Sequence, residues 1–338
     1  MNIAVDAMGG DHAPAAVVKG AIQAAVDMGI DITLVGDSEI LAREIASNAS
    51  SGHIAIHHCN EAVQMDEPPL KAIRKKSDSS IRVAFELAKK GDVDAVVSAG
   101  NSGATLAAGI MTLGRIADVE RPAIAGLLPG ERGPVVLIDV GANVNCRPAH
   151  LFQFGVMANA FACSCLGMEN PKVGLLSVGE EECKGNEQVR LAYELFEKSQ
   201  LNFIGNVEGR DIFSGDVEII VCDGFVGNVA LKLSEGMVKI MTKLLKTELL
   251  KSFVGRTILL LGRQPFERFR KKFDYEEYGG APLLGINGVG IVCHGGSSST
   301  AIKNAIKLAA LYVENRVLEK MIASLNTVFG PGIQSDIA

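Results

Sequence analysis

Short apolar runs alternate along the chain with longer stretches in which apolar residues recur every three or four positions. The short runs are rich in Val and Ile and apolar at successive positions, which is typical of strands buried on both faces of a parallel sheet. They predict eight strands, at 3–5, 32–35, 54–57, 95–98, 135–138, 173–177, 217–221 and 290–293. Helical spacing predicts helices that include 13–28, 150–166, 187–198, 228–250 and 298–320.

The order of these elements predicts the fold class. Strands that alternate with helices favour an α/β fold, a three-layer α/β/α sandwich with a mostly parallel sheet. No linker, repeat or low-complexity tract divides the 338 residues, so we expect a single domain over 1–338 with a helical excursion near 229–275. In open sheets of this kind, ligands bind at the carboxyl ends of the strands, in the turns that lead to the next helix.

Composition narrows the class of protein. The chain has 33 Lys and Arg against 39 Asp and Glu, a formal net charge of −6 that disfavours nucleic-acid binding. Its seven cysteines are scattered and odd in number, which fits a reducing cytoplasm and no disulfide framework. No signal-peptide pattern and no membrane-spanning run is visible. We therefore expect a cytoplasmic protein, with no metal site and no cofactor.

Six glycine-containing loops follow predicted strands and carry the candidate chemistry. They begin at Asp6, Ser98, Asp139, Ser177, Asp223 and His294. Glycine and small polar residues at the start of a helix expose N–H groups to an anion, so several such loops at one sheet edge favour a phosphate-containing ligand. For any single loop, helix capping or turn stabilisation is the alternative.

Three common nucleotide and hydrolase motifs are missing from the sequence. There is no G-x-x-x-x-G-K-[ST], no G-x-G-x-x-G after the first strand and no G-x-S-x-G. These absences argue against a P-loop nucleotidase, a standard dinucleotide-binding fold and an α/β-hydrolase.

The loops resemble those of the bacterial phosphate acyltransferase family known as PlsX, and the matching stretches run nearly end to end. They are D-A-M-G-G-D from Asp6, S-A-G-N-S-G-A from Ser98, D-V-G-A-N from Asp139, L-L-S-V-G-E-E-E-C-K-G-N from Leu175, I-G-N-V-E-G-R-D-I from Ile204, C-D-G-F-V-G-N from Cys222, Y-G-G-A-P-L-L-G from Tyr278 and C-H-G from Cys293.

The resemblance implies a fold, an activity and partners. The implied protein is a homodimer, and the fold of its subunit is related to phosphotransacetylases and to isocitrate-dehydrogenase-like enzymes. The activity is transfer of a long-chain fatty acyl group from acyl carrier protein to inorganic phosphate. The product, acyl phosphate, would supply a membrane glycerol-3-phosphate acyltransferase in phospholipid synthesis.

Inorganic phosphate is already an oxyanion at neutral pH, so direct attack on a thioester mainly requires positioning and an oxyanion donor. We predict Lys184 as the catalytic cation and Asn228 as the oxyanion donor, with Asp139 and Asp223 as orienting groups or proton acceptors. The alternative for Lys184 is an exposed lysine paired with a neighbouring glutamate. The alternative for Asn228 is the N-cap of a helix that begins at Val229.

The phosphate-binding and substrate-binding residues are predicted on the loops at the strand ends. They are Asp6, Gly9, Gly10, His12, Ser98, Asn101, Ser102, Gly103, Asn143, His294 and Ser297. Helix capping or a purely structural role is the alternative for these polar residues. Cys183 is the alternative nucleophile for a covalent acyl-enzyme, because a neighbouring lysine can favour a thiolate. Direct attack is favoured, since no Cys-His-acid order accompanies this cysteine.

The segment 229–275 is basic and amphipathic within an acidic chain. Between 251 and 272, seven Lys or Arg stand against one acid. Three interpretations are open: a core or dimer helix with a solvated polar face, docking of the acidic carrier protein, or contact with anionic lipid at the cell membrane. The cations predicted for carrier or lipid contact are Arg263, Arg268, Arg270, Lys271 and Lys272.

Two rival functions also remain open. One is a phosphotransacetylase-like or dehydrogenase-like enzyme that uses a soluble acyl-CoA or a nicotinamide. The other is a non-catalytic peripheral membrane organiser of lipid synthesis, for which the basic segment would suffice.

Overall fold

Eleven strands form one sheet in the computed structural model, which describes residues 1–48, 53–262, 264–265 and 277–329. The strands are β1 Asn2–Asp6, β2 Asp31–Gly36, β3 Ile54–His58, β4 Ala95–Ser98, β5 Ala123–Pro129, β6 Pro134–Ile138, β7 Val173–Leu176, β8 Phe203–Val207, β9 Ile219–Val221, β10 Ala281–Leu284 and β11 Gly290–Val292. Their order across the sheet is β3-β2-β1-β4-β11-β10-β5-β6-β9-β7-β8.

The sheet is mostly parallel, as predicted. The antiparallel pairs are β5 with β6, β5 with β10 and β10 with β11, and the other neighbours run parallel. All eight predicted strands are present, but β5, β8 and β10 were missed. Each of the three contains Gly or Pro, which are depleted in strands and hide an apolar run from pattern analysis.

Eleven helices connect these strands within the described ranges. They are α1 Ala15–Met28, α2 Ser38–Ser47, α3 Pro69–Lys75, α4 Ser80–Lys90, α5 Ser102–Leu113, α6 Pro148–Cys165, α7 Glu187–Glu197, α8 Gly224–Leu250, α9 Phe253–Leu261, α10 Ser299–Glu314 and α11 Val317–Phe329. A 3-10 helix spans Gly209–Phe213. The single helix predicted at 298–320 is in fact two, because the chain turns at Arg316, whose φ is 52°.

The core lies in two layers, one on each face of the sheet. Successive residues of β1 alternate between them: Ile3 and Val5 pack with α1, α6, α10 and α11, whereas Ala4 packs with α3, α4 and α5. Fully buried aliphatic and aromatic side chains such as Tyr312 and Phe85 fill the two layers. This alternation confirms the three-layer α/β/α sandwich.

Helices α8 and α9 lie in the segment for which we predicted a helical excursion. Beyond its first turns α8 exposes large apolar side chains, and α9 continues the pattern: Val229, Leu233, Met237, Met241, Leu244, Phe253, Val254 and Leu261. The predicted cations Arg263, Arg268, Arg270, Lys271 and Lys272 lie outside the described residues. None of the described helices is both long and apolar enough to cross a membrane.

Candidate functional site

Three adjacent strands, β1, β4 and β11, end at the same edge of the sheet, and their loops are bonded together. The Ser98 hydroxyl donates to the Asp6 carboxylate at 2.7 Å and accepts from Gly100 N–H at 3.0 Å. Asp11 N–H donates to Gly295 carbonyl at 2.8 Å. We call these three loops, 6–12, 98–104 and 294–298, the first wall.

Asp6 holds the first wall together from inside. Its side chain is buried, and burial raises the pKa of this carboxyl group, while hydrogen bonds from serine hydroxyls and from the backbone of Met8 and Gly9 act in the opposite direction. A Cβ on Gly9 would lie 2.5 Å from the Asp6 carboxylate and 2.9 Å from the Gly100 backbone, so only glycine fits there. Asp6 therefore positions the loops around it.

The N-terminus of α5 belongs to the first wall. Asn101 caps this helix, because its Oδ1 accepts from Ala104 N–H at 3.1 Å. Its Nδ2 donates to the carbonyls of Met65 and Glu67 at 2.9 and 3.2 Å, which fixes the preceding segment. The capping alternative for Asn101 is thus present, and the next residue, Ser102, is exposed at the helix start.

The loop after β6 and the start of α8 form a second wall. The buried Asp139 accepts at Oδ1 from the N–H groups of Ile124 and Ala142, both at 3.1 Å, and from Gly141 N–H at 3.3 Å. Its Oδ2 accepts from the backbone and side-chain amides of Asn143 at 2.6 and 2.9 Å. Burial raises the pKa of Asp139, and these hydrogen bonds oppose the shift. Turn stabilisation, the alternative for Asp139, is therefore present.

Helix α8 begins at Gly224, because Asp223 is its N-cap. The Asp223 carboxylate accepts from the N–H groups of Phe225 and Val226, both at 2.9 Å. The alternative that Asn228 is the N-cap of a helix beginning at Val229 is therefore wrong, since Asn228 lies one turn inside the helix. Sequence spacing alone missed the first turn, whose glycines and phenylalanine interrupt the apolar repeat.

Asn228 lies half-buried against the β6 loop. A Cβ added to Gly141 would lie 3.6 Å from the Asn228 side chain. Within the described ranges, no hydrogen-bond partner is recorded for the Asn228 amide, unlike Asn101 and Asn143. A half-buried amide of this kind is available to donate to a ligand.

Close backbone packing joins α8 to the second wall. A Cβ on Gly227 would overlap the Asp139 carbonyl oxygen. We expect Gly227→Ala to lower the free energy of unfolding by about 1–3 kcal/mol or more, because neither backbone can move away without breaking the Asp139 bonds. Urea unfolding measures this change.

Gly236 on the same helix is the matched control. Its added Cβ would meet nothing within 4 Å. Gly236→Ala should raise the free energy of unfolding by about 0.5–1 kcal/mol through helix propensity. Equal effects of the two substitutions would contradict the close approach at Gly227.

A cleft of about 320 Å³ lies between the two walls. Its polar lining is Ser102, Asn228, Lys232, Glu235, Tyr278 and His294, and its apolar and backbone lining is Ile124, Gly126, Leu127, Val140, Gly141, Leu231, Gly280, Ala281, Val292 and Cys293. A predominantly apolar cleft with a few convergent polar groups is typical of a small-molecule site. The cleft thus brings together the predicted residues Ser102, Asn228 and His294.

Comparison with known proteins assigns this chain to a family. Residues 1–320 match the family described as "Fatty acid synthesis protein". A phosphate acyltransferase of Nitratidesulfovibrio vulgaris is 52% identical over 325 residues, which cover 96% of this chain and 94% of the relative. One of Geobacter sulfurreducens is 52% identical over 330 residues, 97% and 95% of the two chains. The chain belongs to the phosphate acyltransferase family.

Solved structures agree with the predicted fold relationship. A phosphotransacetylase from Streptococcus pyogenes is similar with a TM-score of 0.63 at 18% identity, over 94% of each chain. One from Staphylococcus aureus has a TM-score of 0.61 at 16% identity, over 93% of this chain and 94% of the other. At these identities the likeness concerns the fold. The predicted phosphotransacetylase-like α/β fold and the acyltransferase activity are confirmed.

The cleft also contains residues that sequence analysis missed. Lys232 and Glu235 follow Asn228 and Leu231 on α8 at spacings of three and four residues, which places all four on one face. Within the described residues, no ion pair is recorded for Lys232. The spacing from Asn228 was visible in the sequence and would have identified both.

Lys184 does not line the cleft between the two walls of its own chain. It is exposed on the β7–α7 loop, where its backbone N–H donates to the Glu181 carbonyl at 2.9 Å. Among the described residues, no salt bridge joins Lys184 to Glu180, Glu181 or Glu182, the alternative predicted for it, and Glu180 instead binds Arg210 at 2.9 Å. A separate hollow of about 710 Å³ beside it is lined by Glu181, Glu182, Cys183, Glu187, Arg190, Leu191 and Glu194.

The remaining predicted residues lie on the loops of the first wall. Gly10 packs against the carbonyls of Ala99 and Gly295, and Gly103 against Pro69. Ser297 is buried, with its N–H bonded to the His294 carbonyl at 3.0 Å, and His12 is exposed on its loop. In the described part of the chain, no group of three or more His, Cys, Asp or Glu side chains is placed to hold a metal ion.

Proposed function

We propose that this acyltransferase moves a long-chain fatty acyl group from acyl carrier protein to inorganic phosphate, by direct attack of phosphate on the thioester in the cleft between the two walls. The observation that carries the proposal is the Asn228 amide. It lines a largely apolar cleft, is half-buried and has no recorded partner among the described residues. An apolar wall suits an acyl chain, and an unused amide suits an oxyanion.

Phosphate binds at the first wall. The start of α5, with Ser102 at the cleft and Gly103 next to it, presents N–H groups and the positive end of the helix dipole. His294 lines the cleft from the loop after β11 in the same wall, and His12 and Ser297 lie on the loops of this wall. Asp6, Gly9, Gly10, Ser98 and Asn101 hold these loops in place.

The reaction needs no enzyme nucleophile. A phosphate oxygen forms a bond to the thioester carbon, and the carbonyl electron pair moves onto oxygen, where the Asn228 amide donates to it. When the carbonyl re-forms, the carbon–sulfur bond breaks and the sulfur leaves as a thiolate, which becomes the free carrier thiol by taking up, through solvent, the proton that hydrogen phosphate loses as it becomes acyl phosphate. Asp139 and Asn143 position the loop against which Asn228 packs, and Asp223 starts its helix.

A cation completes the site by neutralising the negative charge that gathers on phosphate and oxyanion. Lys232 lines the cleft of the chain itself. Lys184 is exposed and free of a recorded ion pair within the described ranges, so it is available to a cleft brought to it by a second copy. Lys232→Ala and Lys184→Ala distinguish the two candidates, because loss of the cation that contacts phosphate raises the KM for phosphate.

The exposed apolar face of α8 and α9 supports the homodimer. Large side chains such as Leu233, Met241 and Phe253 are 65%, 62% and 85% exposed. Large apolar side chains exposed along two successive helices are typical of an interaction surface, and a second copy of the chain covers them in the proposed assembly. The basic residues of 263–272 then suit anionic lipid or the carrier protein, at the membrane that holds the glycerol-3-phosphate acyltransferase.

Cys183 is dispensable in this reaction. It lies in the acid-lined hollow and not in the cleft. We expect Cys183→Ser to keep kcat within about twofold of the wild type, because the phosphate attacks directly. Steady-state kinetics measures this, and a labelled acyl group trapped on Cys183 after quenching would contradict it.

The donor is tested by phosphate-dependent release of carrier thiol from palmitoyl-ACP, compared with release of CoA from palmitoyl-CoA. The proposal predicts a kcat/KM for the carrier substrate well above that for the CoA substrate. Preference for CoA would instead favour a phosphotransacetylase-like donor. If phosphate released no thiol from either donor, the result would contradict the proposed reaction.

A further inference from the structure

Helix α3 exposes three cations next to the cleft. Lys71, Arg74 and Lys75 recur at spacings of three and four residues and are exposed, whereas Ala72 and Ile73 are buried in the core. Residues at these spacings lie on neighbouring parts of one helix surface. The helix therefore carries a compact positive patch, which we call the α3 patch, on a chain whose net charge is −6.

The α3 patch is not neutralised by its neighbours. In the described part of the chain, no ion pair or side-chain hydrogen bond is recorded for these three cations. The nearest acid before the helix, Glu67, is bonded to Lys76 at 2.5 Å. Glu86 on α4 is bonded to Arg82 at 3.1 Å. The charge of the patch is thus available to a partner.

Contacts place the α3 patch at the mouth of the cleft. Pro69, the first residue of α3, lies 2.7 Å from the position of a Cβ on Gly103, beside the cleft residue Ser102. The segment before it is tied to the first wall by Asn101, and Met65 lies against Gly295. At 1.5 Å of rise per residue, the three cations follow Pro69 within about 10 Å.

The patch also offers apolar contact. Leu70, which precedes Lys71 in α3, is 58% exposed, and Met65, which lies against Gly295 of the first wall, is 44% exposed. Exposed cations with apolar side chains beside them suit an acidic protein that must bind and leave rapidly, since charge complementarity accelerates encounter and fixes orientation.

We propose that the α3 patch is the docking surface for the acidic carrier protein, which passes its thioester-bearing arm over the first turn of α5 into the cleft. This inference rests on the proposed function, because it names the surface that receives the donor. It differs from docking at 263–272 in placing the carrier beside the phosphate-binding wall.

Helix stability is the competing explanation for two of the cations. Arg74 and Lys75 lie in the last turn of α3, where a positive charge complements the helix dipole. Lys89 and Lys90 occupy the same place in α4 and are also exposed. They precede β4, so they lie at the opposite edge of the sheet from the cleft. The two pairs are therefore matched in charge and in helix position.

The experiment compares Arg74→Glu/Lys75→Glu with Lys89→Glu/Lys90→Glu by steady-state kinetics with palmitoyl-ACP and phosphate. We expect the KM for palmitoyl-ACP to rise about tenfold or more in the first variant only, with the phosphate KM within about twofold. The difference should shrink as salt is raised, because screening weakens exposed charges.

Several outcomes would overturn the inference. Equal KM changes in the two variants would assign the effect to helix stability, and an unchanged KM would place the carrier elsewhere, for example at 263–272. Loss of binding to anionic vesicles without a change in KM would make the patch a lipid contact. If the wild-type protein released CoA but not carrier thiol, the carrier protein would not be the acyl donor. This comparison therefore distinguishes failure of the proposed donor from failure of the proposed docking surface.

Discussion

Asn228→Ala is expected to lower kcat/KM for acyl transfer by about 10²–10³, the usual loss when one oxyanion donor is removed. The half-buried amide lines the cleft and has no recorded partner in the described ranges, so its removal breaks no hydrogen bond of the protein itself. The free energy of unfolding should stay constant or rise slightly, since Ala is a better helix former than Asn. A loss of rate without a loss of stability is the expected pattern.

Two further variants sharpen this prediction. Asn228→Gln retains the amide but moves it by one methylene group, and a displacement of about 1 Å can cost 10²-fold in rate. Thr247→Ala, an exposed position near the far end of α8, should leave the rate unchanged. An Asn228→Ala rate within threefold of the wild type would show that the amide does not act on the reacting carbonyl.

Asp139→Ala is expected to lower the free energy of unfolding by about 4 kcal/mol or more. The carboxylate accepts from the N–H groups of Ile124, Gly141, Ala142 and Asn143 and from the Asn143 side chain. Each buried donor left without an acceptor costs about 1–3 kcal/mol. The same change would release the loop against which Asn228 packs, so activity should fall together with stability.

Asp139→Asn is a milder substitution, whose stability can be measured even if the alanine variant does not accumulate as folded protein. It retains one carbonyl oxygen but turns an NH₂ group towards another donor, so we expect a smaller loss of about 1–3 kcal/mol in urea unfolding. Asp216→Ala is the control, because its ion pair with Arg132 at 2.8 Å is exposed and should change stability by less than about 1 kcal/mol. A stable, active Asp139→Ala variant would contradict the positioning role.

The alternation of strands and helices was enough to predict the sheet, because parallel strands buried on both faces leave continuous apolar runs such as 95–98 and 135–138. It was not enough for β5, whose Gly126 and Pro129 break the run. Yet β5 supplies Ile124 and Leu127 to the cleft. The apolar side of the site therefore could not be predicted from pattern alone.

The loops that gather at the strand ends were predictable, since parallel strands place their carboxyl ends together. The role of each polar side chain in these loops could not be predicted, because helix capping and ligand binding select the same residue types. Asn101 and Asp223 cap helices, whereas Asn228 is left without a recorded partner among the described residues. Only the three-dimensional hydrogen-bond pattern distinguishes these outcomes. Likewise, only the positions of the loops in the structure show that Lys184 lies outside the cleft of its own chain.

The most direct test of the central claim is a crystal structure with phosphate and a non-hydrolysable analogue of the acyl donor. The account predicts phosphate at the first turn of α5, beside Ser102 and His294, with the analogue carbonyl oxygen within hydrogen-bond distance of Asn228. Phosphate bound only at the 177–186 loop, with the acyl group outside the cleft, would contradict it.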